Sequence, residues 1–241
     1  MRDLFFFTQK EYTMSTNGFF AKSLRFIGIV LMALTGGFTF LGGVGTFCAA
    51  VFPQKYESMA GLIPYQWLYI LFMLGTIAIG VWGIWATIKL IKGTTDAYWM
   101  SLYALIAGVL VGGFHIYMSR MLRGKSMPVD AVVYTTLLTL VIFLLFKIPM
   151  IWQGVDFSKA KASDNKKAGG AAAMLVGLFT LTIQYTMGST HTWGGVNYAD
   201  AFNSSMTVIG VGLLILGAGL FISGANVWER AGRLTVQGRS A

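Results

Sequence analysis

Charge is what this 241-residue chain has least of: 11% of its residues are Asp, Glu, Lys or Arg, where a soluble domain carries about 25%. With 56% hydrophobic residues and a mean hydropathy of +0.67, that deficit excludes an ordinary soluble globule and places the sequence among membrane proteins. Cysteine is nearly missing. Cys48 stands alone, which excludes an intrachain disulfide and leaves the redox compartment open. The four prolines, at 53, 64, 128 and 149, all fall at the edges of apolar runs, where helices begin or end.

Acid within the apolar runs is also lacking. The nine acidic residues (Asp3, Glu11, Glu57, Asp96, Asp130, Asp156, Asp164, Asp200 and Glu229) fall in loops or at helix ends. Ion-coupled transporters and redox-driven pumps use carboxylates inside the membrane, so a coupled antiporter is disfavoured. There is no GxxxxGK[ST] phosphate loop, HExxH, Ser-His-Asp order or pair of carboxylates. No catalytic residue is assigned, and an enzyme is unsupported. Nucleic acid is excluded as a partner despite the formal charge of +9, because no basic stripe is interleaved with stacking aromatics.

What is present is a series of apolar runs long enough to cross a bilayer, for which about 20 residues suffice. The expected fold is an all-α, polytopic membrane helix bundle with about six transmembrane helices and both termini inside (N-in/C-in). The spans are read as about 24–52, 65–91, 97–122, 128–147, 169–188 and 204–228, with 153–168 as a hydrophilic linker. Residues 1–23 form a polar N-terminal arm, 24–228 the transmembrane domain and 229–241 a cytoplasmic tail. Met14 opens a stretch, MSTNGFFAKSLRF, that reads like a natural start. The first span resembles a secretory signal in its flanks, but its apolar stretch exceeds the roughly 7–15 residues of a signal core, so it is read as retained. Ser126-Met127-Pro128 looks like a helix cap and first turn.

Orientation follows from the basic residues: fourteen fall on the expected inner segments and four, Lys55, Arg120, Arg123 and Lys125, on the outer loops. Localisation in a bacterial-type inner membrane is the matching expectation. Helices in lipid associate through small residues. Gly210, Gly217 and Gly224 make a seam of heptad spacing in the last span, Ala104, Gly108 and Gly112 a second, and Ala33 with Gly37 and Gly45 with Ala49 a third. The first and last spans share a glycine-rich texture, and three spans plus three is the arithmetic of an inverted repeat; apolar glycine-rich helices also resemble each other by chance.

Candidate functional residues are few. His115 is the one ionisable residue deep in a span, with Ser119 on the same face; it is read as a ligand or proton-handling group, or as a neutral histidine hydrogen-bonded across a helix contact. His191 lies in the outer loop, and two imidazoles are what an axial haem ligation needs. Cys48, Met118 and Met121 reach the same side, as soft ligands would, but no HxxxH or CxxC spacing is present, and no metal residues are assigned. Gln184 and Thr180, and Thr135 and Thr139 beside Tyr134, line a solute path or bond across helices. Arg120, Arg123 and Lys125, with Trp193, Tyr198 and Asp200 of the unusual loop 188–203, are candidates for contact with a partner or with headgroups. The tryptophans near span ends, among them Trp99 and Trp152, read as interfacial anchors and not as an aromatic cage.

Three functions follow. The first is a non-catalytic subunit or partner-binding component of a membrane complex, whose partners are the lipid bilayer and other membrane subunits. The second is a small-solute or lipid transporter or channel. The third is a haem- or metal-binding redox subunit.

Overall fold

A computed structural model describes residues 15–55, 57–188, 192–193, 195–197, 200 and 202–225, without the side chains of Met187 and Trp193. The expected arm before residue 15, including Met14, and the tail after 225 lie outside the described residues. The long helices are α1 (Phe19–Gly45), α3 (Gln66–Lys92), α4 (Ala97–Arg123), α5 (Val129–Phe146), α7 (Ala162–Leu181) and α9 (Asn203–Gly224). Short helices α2 (Phe47–Val51), α6 (Pro149–Val155) and α8 (Ile183–Met187) extend or join them.

Among the described residues, five helical stretches are long and apolar enough to cross a membrane: Phe19–Val51, Glu57–Lys92, Ala97–Arg123, Val129–Phe146 and Asn203–Gly224. Helices apolar enough to span a bilayer make this a membrane protein in type. The expected span at 169–188 is not among them. Its helix starts early, at Ala162, so Asp164, Lys166 and Lys167 occupy its first turns, and it breaks at Thr182. The linker expected at 153–168 is correspondingly short of coil, being taken up by the end of α6, a 3-10 turn at Phe157–Lys159 and the first turns of α7.

Four helices close into an antiparallel ring in the order α1, α3, α4, α5 and back to α1. Glycine sets the tightest contact, between α1 and α3. A Cβ on Gly36 would stand 2.9 Å from the Gly83 carbonyl carbon, and one on Gly43 would stand 2.7 Å from the Ile77 nitrogen. The α1 seam is therefore Gly36 and Gly43, seven apart, and not the expected Ala33–Gly37 and Gly45–Ala49 pairs; Gly37 meets only Val176 Cγ1, at the ordinary distance of 3.7 Å. Between α4 and α5, Gly108 faces Thr136 and Gly112 faces Val133.

Helix α7 lies in the groove between α1 and α3, running the same way as α1. Lys22 meets Asp164, and further along Phe38 meets Phe179 edge-on. Helix α9 packs on α7, and its only buried residues are Gly210, Gly217 and Gly224. Its seam meets a matching one on α7, since Gly210 faces Gly177, Gly217 faces Gly170 and Gly224 faces Ser163. This is an antiparallel register of two heptad-spaced small-residue rows, which lets two backbones touch. A ring of four with two helices stacked outside it does not divide into two three-helix halves, so the inverted repeat has no counterpart in the fold.

Helix ends follow local chemistry. Gly93 ends α3 in the left-handed conformation (φ +68°), with its N–H on Leu90 O and the Thr94 N–H on Lys89 O, which satisfies two orphan carbonyls. Ser126 does not cap α5; its hydroxyl donates to the Asp130 carboxylate. At the lysine-rich end, Lys89 and Thr94 hold the exposed Asp96 carboxylate and keep its pKa below the usual carboxylate value. A depressed folded-state pKa means the contribution is complete at neutral pH and lost only as pH falls through that value. The Tm difference between Asp96→Asn and the parent should accordingly be small at pH 7 and vanish in strong acid.

Candidate functional site

Two apolar clusters fill the bundle. One, at the lysine-rich end, is built on Leu90, Tyr98, Phe143, Phe146 and Phe157. The other, at the opposite end, is built on Met59, Leu62, Tyr69, Phe72 and Met118. His115 is part of this second end. It is 4% exposed, with Phe72 stacked on its ring at 4.5 Å and Tyr69 edge-on at 5.4 Å. Among the described residues His115 makes no hydrogen bond across a helix contact; aromatic packing holds the imidazole. The cross-helix bond belongs to its neighbours, because Tyr69 Oη and Ser119 Oγ are hydrogen-bonded at 2.9 Å. One turn further on, Arg123 Nε is buried without a hydrogen-bond partner among the described residues.

The geometry bears directly on a haem or metal. His115 is packed among Phe72 and Tyr69, and His191, the second expected haem ligand, lies outside the described residues. Among the described residues no group of three or more His, Cys, Asp or Glu side chains could hold a metal ion.

The basic cluster at this end is partly internal. Arg120 donates through Nε to Ser126 Oγ at 2.9 Å and through a terminal nitrogen to Asp130 Oδ1 at 3.0 Å and Tyr134 Oη at 3.3 Å. Of the expected outward-facing basic trio, Arg120 is exposed with its charge met by Asp130, Arg123 is half-buried, and Lys125 is exposed with no ion pair among the described residues. Asp130 sits in the first turn of α5, a position that also suits the helix dipole. In the loop 188–203, Asn197 ties the chain back to the first turn of α8 by donating to the Gln184 carbonyl at 3.4 Å, and its side-chain oxygen accepts from the Asp200 N–H at 3.3 Å. Thr192–Trp193 and Val196–Asn197 form a two-stranded hairpin turned at Gly195 (φ +79°). Tyr198 and the Trp193 side chain lie outside the described residues.

Between the two clusters, at the middle of the ring, threonines collect. Thr35, Thr39, Thr136 and Thr139 are each at most 5% exposed. The Thr35 and Thr139 hydroxyls share a hydrogen bond at 2.8 Å, joining α1 to α5. Thr136 and Thr139 also donate to the carbonyls of Val132 and Thr135, and Thr135 donates to Ala131. A cavity of about 10 Å³ lies beside them, lined by Thr35, Thr39, Thr136 and Gly108 among others. Sequence periodicity places Thr139 in a helix; the pairing with Thr35, 104 positions away, has no signal in the sequence. Thr139→Val keeps the shape and removes that bond, so stability should fall by about 0.6 kcal/mol, the mean for such bonds in membrane bundles. Unfolding in mixed detergent reads this out.

The Gln184–Thr180 pair does not form. Thr180 donates to the Val176 carbonyl, and Gln184 Oε1 is buried without a hydrogen-bond partner among the described residues; the helix breaks at Thr182 between them. Two of the tryptophans expected as interfacial anchors, Trp99 and Trp152, also contact a cation. The Lys147 ammonium lies 4.1 Å from the Trp152 ring centre, 4.7 Å from Trp99 and 5.0 Å from Tyr98. These rings form a box around a cation of the chain itself, assembled from α4 and the α5–α6 junction.

No protein-family model, curated protein or solved structure matches this chain, so its function is read from its own residues.

Proposed function

We propose that this protein is a non-catalytic subunit of a membrane complex, crossing a bacterial-type inner membrane six times with both termini in the cytoplasm. The observation that carries this reading is the state of the polar groups at mid-bundle. Thr35, Thr136 and Thr139 are engaged with backbone carbonyls or with each other. The space beside them, about 10 Å³, is that of about one water molecule. A scaffold has this kind of interior, whereas a conduit needs a polar path. The sixth crossing is supported by α7, which runs beside α1 and is seamed to α9 along its length. The cytoplasmic assignment rests on the basic residues gathered at one end.

Carriage of a small solute or lipid is the second reading. It is favoured by Thr39, which is buried and lines the cavity, and by Gln184 beyond the α7 break, whose Oε1 has no hydrogen-bond partner among the described residues. The deciding experiment is native purification in mild detergent, reading the visible spectrum and the co-purifying proteins together. Stoichiometric membrane partners and a colourless sample are the expected result. A protein that is colourless and alone would overturn the subunit reading and favour transport. A Soret band lost in His115→Ala would overturn it in favour of a haem-binding redox subunit.

A further inference from the structure

The Lys147 box has a net charge that no carboxylate among the described residues neutralises. Other cations at the same end are paired: Lys22 lies 3.4 Å from Asp164, Lys159 lies 3.3 Å from Asp156, and Lys89 holds Asp96. Lys167 is half-buried without an ion pair among the described residues, but no aromatic ring there frames it. Lys147 is half-buried, and among the described residues it has no carboxylate within 4.0 Å. Three aromatic faces attract it electrostatically, but rings carry no formal charge, so the site keeps its full positive charge. Asp96, the residue preceding α4, is already taken by Lys89 and Thr94.

The box also opens towards the bundle's flank. Trp99 is 45% exposed and Tyr103, stacked on it, is 54% exposed, and Ile148 and Met150, which follow Lys147 in the chain, are exposed too. Trp99 and Tyr98 belong to the first turn of α4, whose N–H groups have no acceptor within the helix. A fixed ammonium, an exposed indole and an apolar flank, at the end of the membrane-spanning helices, match a phosphate that carries acyl chains. Exposed lysines at this end, such as Lys166, have water to solvate them and no such frame.

We propose that Lys147, framed by Tyr98, Trp99 and Trp152, is a binding site for the phosphate of an anionic lipid at the lysine-rich face of the membrane. The cation supplies the attraction, and the rings fix the side chain in place so that little rotamer freedom is lost on binding. Lysine-to-anionic-lipid attraction at a surface corresponds to about a fivefold change in affinity per residue.

The test is titration of the purified full-length protein with phosphatidylglycerol or phosphatidylcholine, read by native mass spectrometry as bound lipid per protein. Phosphatidylglycerol should be retained preferentially, with the preference falling about fivefold in Lys147→Gln and preserved in Lys147→Arg. Lys166→Gln, at the same end but exposed, should leave it unchanged. Equal retention by Lys147→Gln and the parent would overturn the site, as would an equal loss in Lys166→Gln, which would reduce the effect to bulk charge. Trp152→Leu keeps the cation and loosens the box, so it should also weaken retention and serves if Lys147→Gln fails to fold. Millimolar inorganic phosphate separates the sources. Displacement of lipid by it identifies a phosphate site open to soluble ions, and indifference to it identifies a headgroup site that needs the acyl chains.

Discussion

Gly217→Leu should strip α9 from the rest of the bundle. A Cβ at this position would stand 2.7 Å from the Gly170 carbonyl oxygen and 2.8 Å from the Met174 nitrogen. Both are backbone atoms of α7 or fixed by it, so no side chain can swing aside; the helices must separate. Because Gly210, Gly217 and Gly224 are the only buried residues of α9, separation at the centre of the row undoes the contact as a whole. Overpacking of an adaptable core costs about 1–3 kcal/mol, and at a backbone-to-backbone contact the cost should reach or exceed the top of that range. Gly217→Ala should be milder but still clearly destabilising. The control is on the same helix. A Cβ added at Gly212 or Gly219 meets nothing within 4 Å, so alanine there should shift stability by less than about 0.5 kcal/mol. Thermal unfolding in mild detergent, with proteolysis of the loop before α9 as a second probe, compares the four variants. Equal behaviour of Gly217→Ala and Gly219→Ala would refute the seam.

Arg25→Met is the second large effect. Arg25 is 2% exposed, and its guanidinium donates to two backbone carbonyls, Gly154 O on α6 and Thr16 O before α1, the latter at 2.7 Å. One side chain thus ties the segment entering α1 to the helix leaving α5. Methionine keeps the unbranched stem and removes both donors, leaving the Gly154 carbonyl without its partner. Hydrogen bonds to a charged group contribute about 1.5–3 kcal/mol each, so a loss of about 3 kcal/mol is expected. Lysine should recover only part of it, since a single ammonium cannot reproduce the forked geometry. Trypsin cleavage after Lys159 and Lys161, just past α6, should accelerate in the methionine variant. An unchanged Tm and cleavage rate would show that neighbouring contacts suffice without the guanidinium.

The sequence by itself determined the membrane class, the positions of most long helices and one packing face. These depend on local properties: apolar length, prolines at the edges, and the Gly93 end of α3. The glycine row of α9 was also readable, because heptad spacing keeps residues on one face of a helix whatever lies opposite. Its partner row on α7, Ser163, Gly170 and Gly177, has the same spacing but lies half within a stretch whose Asp164, Lys166 and Lys167 look like linker. Charge in the first turns hid the start of the helix.

Only the tertiary structure decided what each polar residue meets. His115 was legible as a buried histidine, yet its surroundings, Phe72 and Tyr69, come from another helix 43 and 46 positions earlier. The same holds for Thr35 with Thr139, Arg120 with Asp130, Arg25 with Gly154, and Lys147 with Trp99 and Tyr98. A helix pattern fixes which residues share a face, because the backbone repeats every 3.6 residues. It does not fix which face of another helix comes opposite, since in lipid any close-packing pair of small-residue faces can associate. That choice is made by the whole set of contacts at once, through the ring closed by α1, α3, α4 and α5 and the glycine contacts that let α7 and α9 stack outside it.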